Sequence, residues 1–219
     1  MTTAVHDEAA LERALKKVLR EDQVIGGLAA RRVYDSDAYG VDRFPPAVVV
    51  LPETVEDVSA VVKWCHQHQV PFTPRGAGTG LSGGVMPALG GVVISVKRLD
   101  RVLAVEPENR LMHAQAGCVN LELTRAASQY GLHFAPDPSS QSVSTLGGNI
   151  GMNSGGPHTL KYGVTAPHVR QVTLVDPYGE VIRVGRLTPG APGPHFLSLV
   201  VGSEGTLGVV TDAWINLTP

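Results

Sequence analysis

The residues best suited to binding chemistry form the stretch PRGAGTGLSGG, Pro74–Gly84, in which five of the eleven residues are glycine. Glycine has no Cβ and adopts positive φ readily, so several consecutive backbone N–H groups can point into one concavity. Arg75 can add a positive charge to that concavity, and Ser82 can add a hydroxyl donor. The stretch therefore predicts an anion-binding loop, and its position and composition favour phosphate.

Two further glycine-rich segments follow, at Pro136–Gly163 and Gly202–Gly208. The first of these contains many small and hydroxyl side chains, and its only formally charged residues are Asp137 and Lys161. Such a lining suits a large, partly flat ligand whose phosphates are held by backbone groups. The alternative, that all three segments are merely long turns, is weaker because they occur together in one chain of 219 residues.

The first loop also matches the dinucleotide fingerprint GxGxxG through Gly78, Gly80 and Gly83, with Asp100 downstream. That fingerprint must open a helix whose N-terminus carries the pyrophosphate. Further glycine and proline residues between positions 84 and 91 prevent a helix there. A Walker A loop is excluded as well, because no Lys-Ser or Lys-Thr pair follows the glycines.

Gly80–Gly84 matches GxSxG, the nucleophile elbow of α/β hydrolases, and a histidine could supply a base for Ser82. The elbow requires a strand-to-helix turn, which the following residues again disfavour. A serine hydrolase is therefore only a less favoured alternative. His66 and His68 stand two positions apart on a predicted helix and so point apart. We expect them to be solvent-exposed polar residues, and no metal site is predicted.

Composition limits the class of protein. The chain is 43% hydrophobic with a formal net charge of −2 and a pI of about 6.4, which gives no reason to expect nucleic acid as a partner. Cys65 and Cys118 are too few for a disulfide scaffold and are expected in the core. No secretory signal and no apolar run of transmembrane length is visible. A soluble, cytoplasmic protein is predicted.

The elements that position the first loop form an α/β pattern. An apolar stripe predicts a helix over residues 8–20. Strands are predicted at 47–51, 70–73 and 92–96, and a helix whose capping box is formed by Thr54 and Asp57 lies between the first two. The glycine loop then follows the carboxyl end of a strand, where α/β sheets place their ligands.

The remainder of the chain predicts an antiparallel lobe. Strands are expected at 102–105, 111–116, 172–175, 181–184 and 209–217, and a helix at 121–130 ending at Gly131. Residues 136–167 are predicted to be irregular but ordered, residues 185–194 to form a surface loop, and 196–201 to be either a short helix or a strand. The fold class is α+β with two lobes, a small α/β lobe and a lobe built on a mainly antiparallel sheet flanked by helices.

Three motifs in order, PRGAGTGLSGG, STLGGNIGMNSGG with LKYG soon after, and VGSEGTLGVVT, resemble the FAD-binding domain of the flavoenzymes typified by vanillyl-alcohol oxidase. The resemblance is strongest to the flavin subunit of bacterial glycolate oxidase and to FAD-linked D-lactate and D-2-hydroxyglutarate dehydrogenases. It covers residues 45–219. It implies a lead-in at 1–44, a first FAD-binding lobe at 45–100 and a second at 101–219.

The resemblance also implies which residues hold FAD. Backbone amides and hydroxyls of the first loop would hold the pyrophosphate: Arg75, Gly76, Ala77, Gly78, Thr79, Gly80 and Ser82. Residues of the second segment would line the ribityl chain and flavin: Pro138, Ser140, Thr145, Gly148, Gly151, Asn153 and Gly155. Gly208 and Val210 would meet the adenine end. The first loop has no His and the second segment no Cys, so FAD is expected to be non-covalent.

The function implied is that of the FAD-binding domain of an oxidoreductase that converts a 2-hydroxy acid, of the glycolate or D-lactate type, into the 2-keto acid. Relatives continue into a substrate domain that is absent here, so the catalytic residues are unknown. The substrate would be bound by a missing domain or a partner subunit, and this chain alone would be inactive. The alternative is a non-catalytic flavin-binding or electron-transfer subunit of a larger oxidase complex.

Overall fold

The computed structural model describes residues 7–188 and 194–219, which form two β-sheets with helices packed against them. The strands are β1 Val24–Ile25, β2 Val48–Val50, β3 Phe72–Arg75, β4 Val92–Ser95, β5 Val102–Glu106, β6 Leu111–Gln115, β7 Val169–Val175, β8 Val181–Gly185 and β9 Val209–Asn216. The α-helices are α1 Glu8–Leu15, α2 Leu28–Arg31, α3 Val55–Gln67, α4 Asn120–Ser128, α5 Leu146–Met152, α6 Thr159–Tyr162 and α7 Leu197–Val200. Short 3₁₀ helices occupy Glu21–Gln23, Arg32–Tyr34, Val96–Arg98 and Ala166–His168.

The first sheet has the strand order β1-β2-β4-β3, in which β2, β4 and β3 are parallel and β1 pairs antiparallel with β2. Helix α3 starts at the predicted capping box. The Thr54 hydroxyl accepts a hydrogen bond from the Asp57 N–H at 3.1 Å, and the Asp57 carboxylate accepts one from the Thr54 N–H at 3.2 Å. The apolar face of α3 is buried. The predicted α/β lobe is confirmed.

The second sheet is antiparallel throughout, in the order β5-β6-β9-β7-β8. Its inner face carries Met112, Ala213 and Ile215, each almost fully buried, and helices α4, α5 and α7 contribute Leu123, Ile150 and other residues to the same core. Alternation along β9 explains this, because successive strand residues face opposite sides of a sheet. The predicted α+β fold class is confirmed.

The two lobes share packing. Val175 and Val209 belong to the second sheet but lie in the core of the first lobe. The Ser59 hydroxyl of α3 donates to the Gly179 carbonyl at 2.6 Å. Gly179 has φ +86°, and a Cβ there would lie 3.0 Å from the Ser59 carbonyl oxygen, so the β7–β8 turn needs glycine to approach α3 this closely.

The structure corrects several element predictions. The first helix ends at Leu15 rather than at residue 20, and the buried Leu19 lies in a turn. The second predicted strand, at 70–73, lies two residues later, at β3, and the helix predicted at 121–130 spans Asn120–Ser128. Residues 136–167 are not irregular, because they contain α5 and α6.

The remaining element predictions also have outcomes. The ambiguous segment 196–201 contains the short helix α7. Residues 189–193 of the predicted surface loop lie outside the described part of the chain. Within residues 7–188 and 194–219, no helix has both the length and the apolar character needed to cross a lipid bilayer.

Candidate functional site

The first glycine loop leaves the carboxyl end of β3, whose last residue is Arg75. Gly78 and Gly83 adopt φ of +73° and +77°, conformations that residues with a Cβ rarely take. No helix forms between β3 and β4. The structural context that the dinucleotide fingerprint and the nucleophile elbow both require is therefore missing, as the sequence predicted.

The loop presents backbone donors without protein acceptors. The Ala38 N–H donates to the carbonyls of both Gly78 and Gly80, at 3.0 and 3.1 Å. Because the C=O and N–H of one peptide unit point in opposite directions, the N–H groups of the following residues, Thr79 and Leu81, face away from Ala38. Within the described residues, the N–H groups of 77–82 donate to no protein acceptor. Such a row of free donors has the composition of an anion-binding nest.

The second glycine segment meets the first loop at the start of α5. Thr145 is the N-cap of this helix, and its hydroxyl accepts from the Gly148 N–H at 3.3 Å. A Cβ on Gly76 would lie 2.5 Å from that hydroxyl and 3.5 Å from the Gly148 backbone. A Cβ on Gly147 would lie 2.8 Å from the Ala116 side chain. Glycine is needed at these positions because two backbones approach each other there.

The third segment closes the other end of α5. The N–H groups of Gly202 and Glu204 each donate at 2.9 Å, to the carbonyls of Ile150 and Gly151 respectively. A Cβ on Gly205 would lie 3.3 Å from the ring of Pro74. The three glycine segments, separated in sequence, therefore surround one site.

Two adjoining cavities occupy this site. One, of about 270 Å³, lies between the first loop and α5, and a smaller one, of about 80 Å³, continues along α5 to the third segment. Most of the residues predicted to bind the cofactor line one or both cavities: Arg75, Gly76, Ala77, Gly78, Thr79, Gly80, Ser82, Ser140, Thr145, Gly148, Gly151, Gly208 and Val210.

Three predicted residues lie outside the two cavities. Pro138 is buried. The Asn153 side chain accepts from the Ala166 N–H at 2.9 Å, and Asn153 ends α5 in the left-handed conformation, with φ +49°. A Cβ on Gly155 would lie 2.6 Å from the Thr159 hydroxyl, so this glycine permits local packing. Ser154 lies in the larger cavity, between Asn153 and Gly155 in sequence.

The predicted site residues omit eight of the residues that line the larger cavity: Asp37, Leu81, Gly84, Val85, Ser144, Asn149, Met152 and Ser154. Ser144 is 3% exposed, and its hydroxyl oxygen makes no hydrogen bond within the described residues. A buried hydroxyl without a hydrogen-bond partner lowers the stability of the fold. A bound ligand that supplied a partner would remove this cost. In the sequence Ser144 is one of several serines, and Asp37 is far from the loop, so neither carried a signal.

The Arg75 side chain is directed toward residues that precede the first sheet. It is 7% exposed, and one of its terminal nitrogens donates to the Ser36 carbonyl at 2.9 Å. Its guanidinium carbon lies 5.6 Å from the centre of the Tyr34 ring. Burial lowers the pKa of Arg75. The role of a counter-charge to phosphate stays a prediction.

Other candidate groups are not part of this site. His66 and His68 are exposed, as predicted. Cys65 and Cys118 are buried free thiols, as predicted, and burial raises their pKa to about 12 and about 11. A separate cavity, of about 660 Å³, lies between the β7–β8 hairpin and α7, but none of the predicted cofactor-binding residues lines it.

Comparison with known proteins shows which family this chain resembles. A family model described as an FAD binding domain matches residues 46–185. The chain is 42% identical over 192 residues to the glycolate oxidase subunit GlcD of Bacillus subtilis, a match that covers 87% of this chain and 41% of that protein. It is 39% identical over 182 residues to a D-lactate dehydrogenase of Anaerostipes hadrus, covering 83% of this chain and 38% of the relative.

A solved structure of alkyldihydroxyacetonephosphate synthase superposes with a TM-score of 0.84 at 28% identity. That match covers 96% of this chain and 40% of the synthase. The chain thus spans about two fifths of the length of the relatives described here.

Proposed function

Because this chain belongs to the family of FAD binding domains, we propose that it is the flavin-binding part of an oxidoreductase that oxidises a 2-hydroxy acid to the 2-keto acid. The glycolate and D-lactate types of substrate are proposed from the names of the similar proteins. The observation that carries the proposal is the convergence of three glycine segments on one cavity with unpartnered backbone donors.

The residues present fit FAD. A dianionic pyrophosphate needs several donors, and residues 77–82, whose N–H groups donate to no protein acceptor within the described residues, line the larger cavity. Ser144, whose buried hydroxyl makes no hydrogen bond within the described residues, is among the residues that line the same cavity. The smaller cavity, lined by Gly148, Gly151 and Val210, is more apolar than the larger one, which suits the ring part of the cofactor. We propose that the predicted cofactor-binding residues hold FAD between the two lobes.

The chemistry divides between cofactor and protein. When bound, FAD supplies the ring that accepts a hydride. The 2-hydroxy acid would lose that hydride from its α-carbon and a proton from its hydroxyl. This chain binds the pyrophosphate through its nest, excludes water from the buried wall at Thr145 and Gly148, and fixes where the ring lies.

The substrate-binding and catalytic residues are proposed to lie beyond the residues of this chain, in a further domain or in a partner subunit. Support comes from the relatives, of which the chain spans about two fifths. We likewise propose lobe limits at 45–100 and 101–219 and a cytoplasmic location. Fractionation of the source cells, with detection by an antibody, would test the location.

A visible spectrum of the purified chain tests cofactor binding. We expect the absorption bands of an oxidised flavin, directly or after reconstitution, and release of intact FAD into solution on acid denaturation. Release is expected because the bond is non-covalent: the first loop has no His and the second segment no Cys. A colourless protein that cannot be reconstituted with FAD would contradict the proposal.

An activity measurement separates this proposal from its alternative, a non-catalytic flavin-binding or electron-transfer subunit. Reduction of an artificial electron acceptor by glycolate or D-lactate is measured for the longest reading frame that contains this chain and for the chain alone. We expect turnover only from the longer protein or from a complex. Substrate oxidation that needs neither this chain nor its bound flavin would favour the alternative.

A further inference from the structure

A segment that precedes the first sheet lies against the anion-binding loop. Residues Tyr34–Ala38, here named the strap, make hydrogen bonds to the loop and to Arg75. The single N–H of Ala38 donates to two loop carbonyls, those of Gly78 at 3.0 Å and Gly80 at 3.1 Å. These contacts join residues about forty positions apart, and nothing in the glycine motif itself requires them.

The carboxylate of Asp37 makes the second connection. It is 8% exposed, and one oxygen accepts from the Gly83 N–H at 2.8 Å while the other accepts from the Tyr39 N–H at 2.9 Å. The Asp37 side chain also lines the larger cavity. A carboxylate that accepts backbone N–H groups makes charge-assisted hydrogen bonds, which are stronger than neutral ones.

Arg75 makes the third connection, from the end of β3. Its guanidinium donates to the Ser36 carbonyl at 2.9 Å and lies over the ring of Tyr34. A Cβ on Gly78 would collide with this guanidinium, so the arginine fills the space beneath the loop. Its positive charge also lies near Asp37 and Asp35, which compensates the carboxylate beside a site for an anion.

Together these contacts determine how the loop peptides are oriented. A glycine-rich loop without them would sample many conformations, and ordering it on cofactor binding would cost conformational entropy. Hydrogen bonds to the carbonyls of Gly78 and Gly80 hold those peptides with their N–H groups turned to the cavity. Asp37 removes one N–H, that of Gly83, from the set available to a ligand.

We propose that the strap is a positioning device that holds the loop in its anion-binding geometry before the cofactor arrives, with Asp37 as the positioning residue. This rests on the proposed function for the identity of the cofactor. It assigns to the residues before the first sheet a role in the FAD site, although that segment precedes residue 46, where the match to the FAD binding domain begins.

Substitution of Asp37 tests whether the strap positions the loop. In Asp37→Ala both acceptors are lost, and we expect FAD to bind about 10- to 100-fold more weakly, as measured by flavin fluorescence titration. Asp37→Asn keeps the shape and one acceptor, so an intermediate loss is expected. Asp42→Asn is the matched control, because Asp42 is an exposed aspartate a few residues after the strap, and this variant should bind FAD as tightly as the unsubstituted chain.

Amide hydrogen exchange in the FAD-free protein supplies a readout independent of the cofactor. We expect faster exchange across residues 76–83 in both Asp37 variants than in the unsubstituted chain or in Asp42→Asn, with unchanged protection in α3. Protection of α3 also shows that the variants are folded. Should Asp37→Ala fold poorly, the isosteric Asp37→Asn carries the comparison.

The two measurements distinguish failure of the strap proposal from failure of the proposed function. Unchanged or tighter FAD binding by Asp37→Ala, together with unchanged hydrogen exchange of residues 76–83, would overturn the proposed positioning role of the strap. Tighter binding would mean that Asp37 acts mainly by repelling the pyrophosphate. If the unsubstituted chain binds no FAD, the proposed function fails, but the exchange comparison still decides whether the strap orders the loop.

Discussion

Gly78 carries two constraints that no other residue type satisfies together. Its φ is +73°, and the space where a Cβ would lie is filled by the Arg75 guanidinium. Gly78→Val is therefore expected to distort the nest and to abolish measurable FAD binding in a flavin titration. Gly27→Ala is a control, because a Cβ there meets no atom within 4 Å. Unchanged affinity of Gly78→Val would contradict the assigned loop geometry.

Ser144 allows ligand binding to be separated from stability. Its hydroxyl is buried without a partner, so Ser144→Ala removes an unsatisfied group and should stabilise the FAD-free chain by about 1 kcal/mol in urea denaturation. If the hydroxyl contacts FAD, the same variant should bind FAD about 5- to 10-fold more weakly.

The control for Ser144 is Ser139→Ala, at an exposed position nearby. It should change neither the free energy of unfolding nor the FAD affinity. If Ser144→Ala were destabilising and left the affinity unchanged, the hydroxyl would have a structural partner and no contact with the cofactor.

At the scale of elements, α5 is the case in which tertiary packing overrides local preference. Its seven residues, LGGNIGM, include three glycines, which are among the poorest helix formers. The helix forms because Thr145 caps its first turn and because Leu146 and Ile150 are buried in the second core. The glycines also let Ala116 and the first loop approach the helix backbone. Glycine lowers the helix propensity of α5 but allows other residues to approach its backbone closely. At this site the close approach takes precedence over helix propensity.

The pairing of β6 with β9 places His113 beside Asp212. The ring nitrogen Nε2 of His113 lies 2.7 Å from a carboxylate oxygen of Asp212, and the imidazole stacks on Trp214 at 4.7 Å between ring centres. Burial by itself would raise the pKa of Asp212, but hydrogen bonds from His113, Thr173 and Thr211 outweigh it. The net pKa is lower than the usual value for Asp.

This lowered pKa predicts how stability depends on pH. The contribution of Asp212 is complete above the unfolded-state pKa of about 3.9 and is lost as the pH falls through the lower folded-state pKa. Asp212→Asn should therefore lower the free energy of unfolding by about 1–2 kcal/mol at neutral pH. The difference from the unsubstituted chain should shrink in acid.

Urea denaturation at several pH values measures the Asp212 effect. Asp100→Asn is the control, because Asp100 is exposed, and it should show little change at any pH. A gap between Asp212→Asn and the unsubstituted chain that persists in acid would mean that the carboxylate charge is not its source.

At the scale of the whole molecule, the proposed cofactor site lies where the two lobes meet, so FAD should stabilise both. At about 100-fold excess over its Kd, a ligand that binds only the folded state adds about 2.7 kcal/mol. Trp64 lies in the first lobe and Trp214 in the second, and they are the only tryptophans of the chain. Trp64→Phe and Trp214→Phe therefore make each lobe separately visible by fluorescence. Both should unfold in one transition that FAD shifts upward.

The shared packing of Val175 and Val209 with the first lobe is the physical reason for expecting one transition. Two separate transitions, with only one of them shifted by FAD, would contradict a site built from both lobes. Alkyldihydroxyacetonephosphate synthase, which is named for a different reaction, has a similar fold, as expected where one fold hosts several functions.

Much of the site could be predicted because its constraints are local. Consecutive glycines at residues 76–84 and the absence of a following helix depend only on neighbouring residues, as does the capping box of α3. The order of the three glycine motifs allowed the family to be predicted. Pro138, Asn153 and Gly155 were included by their position in the second motif, but the side chain of Asn153 accepts from the Ala166 N–H, and Asn153 does not line the two cavities.

The sequence by itself determined the two-lobed α+β fold and FAD as cofactor, and it predicted an anion-binding role for Pro74–Gly84, because periodicity, glycine content and motif order are readable along the chain. Only the tertiary structure decided that α5 is a helix, that Ser144 lacks a partner and that Asp37 and Ala38 orient the glycine loop. The physical reason is that these features depend on contacts between residues far apart in sequence, whose energies no local pattern records. The loop was visible in the sequence, but the segment that holds it was not.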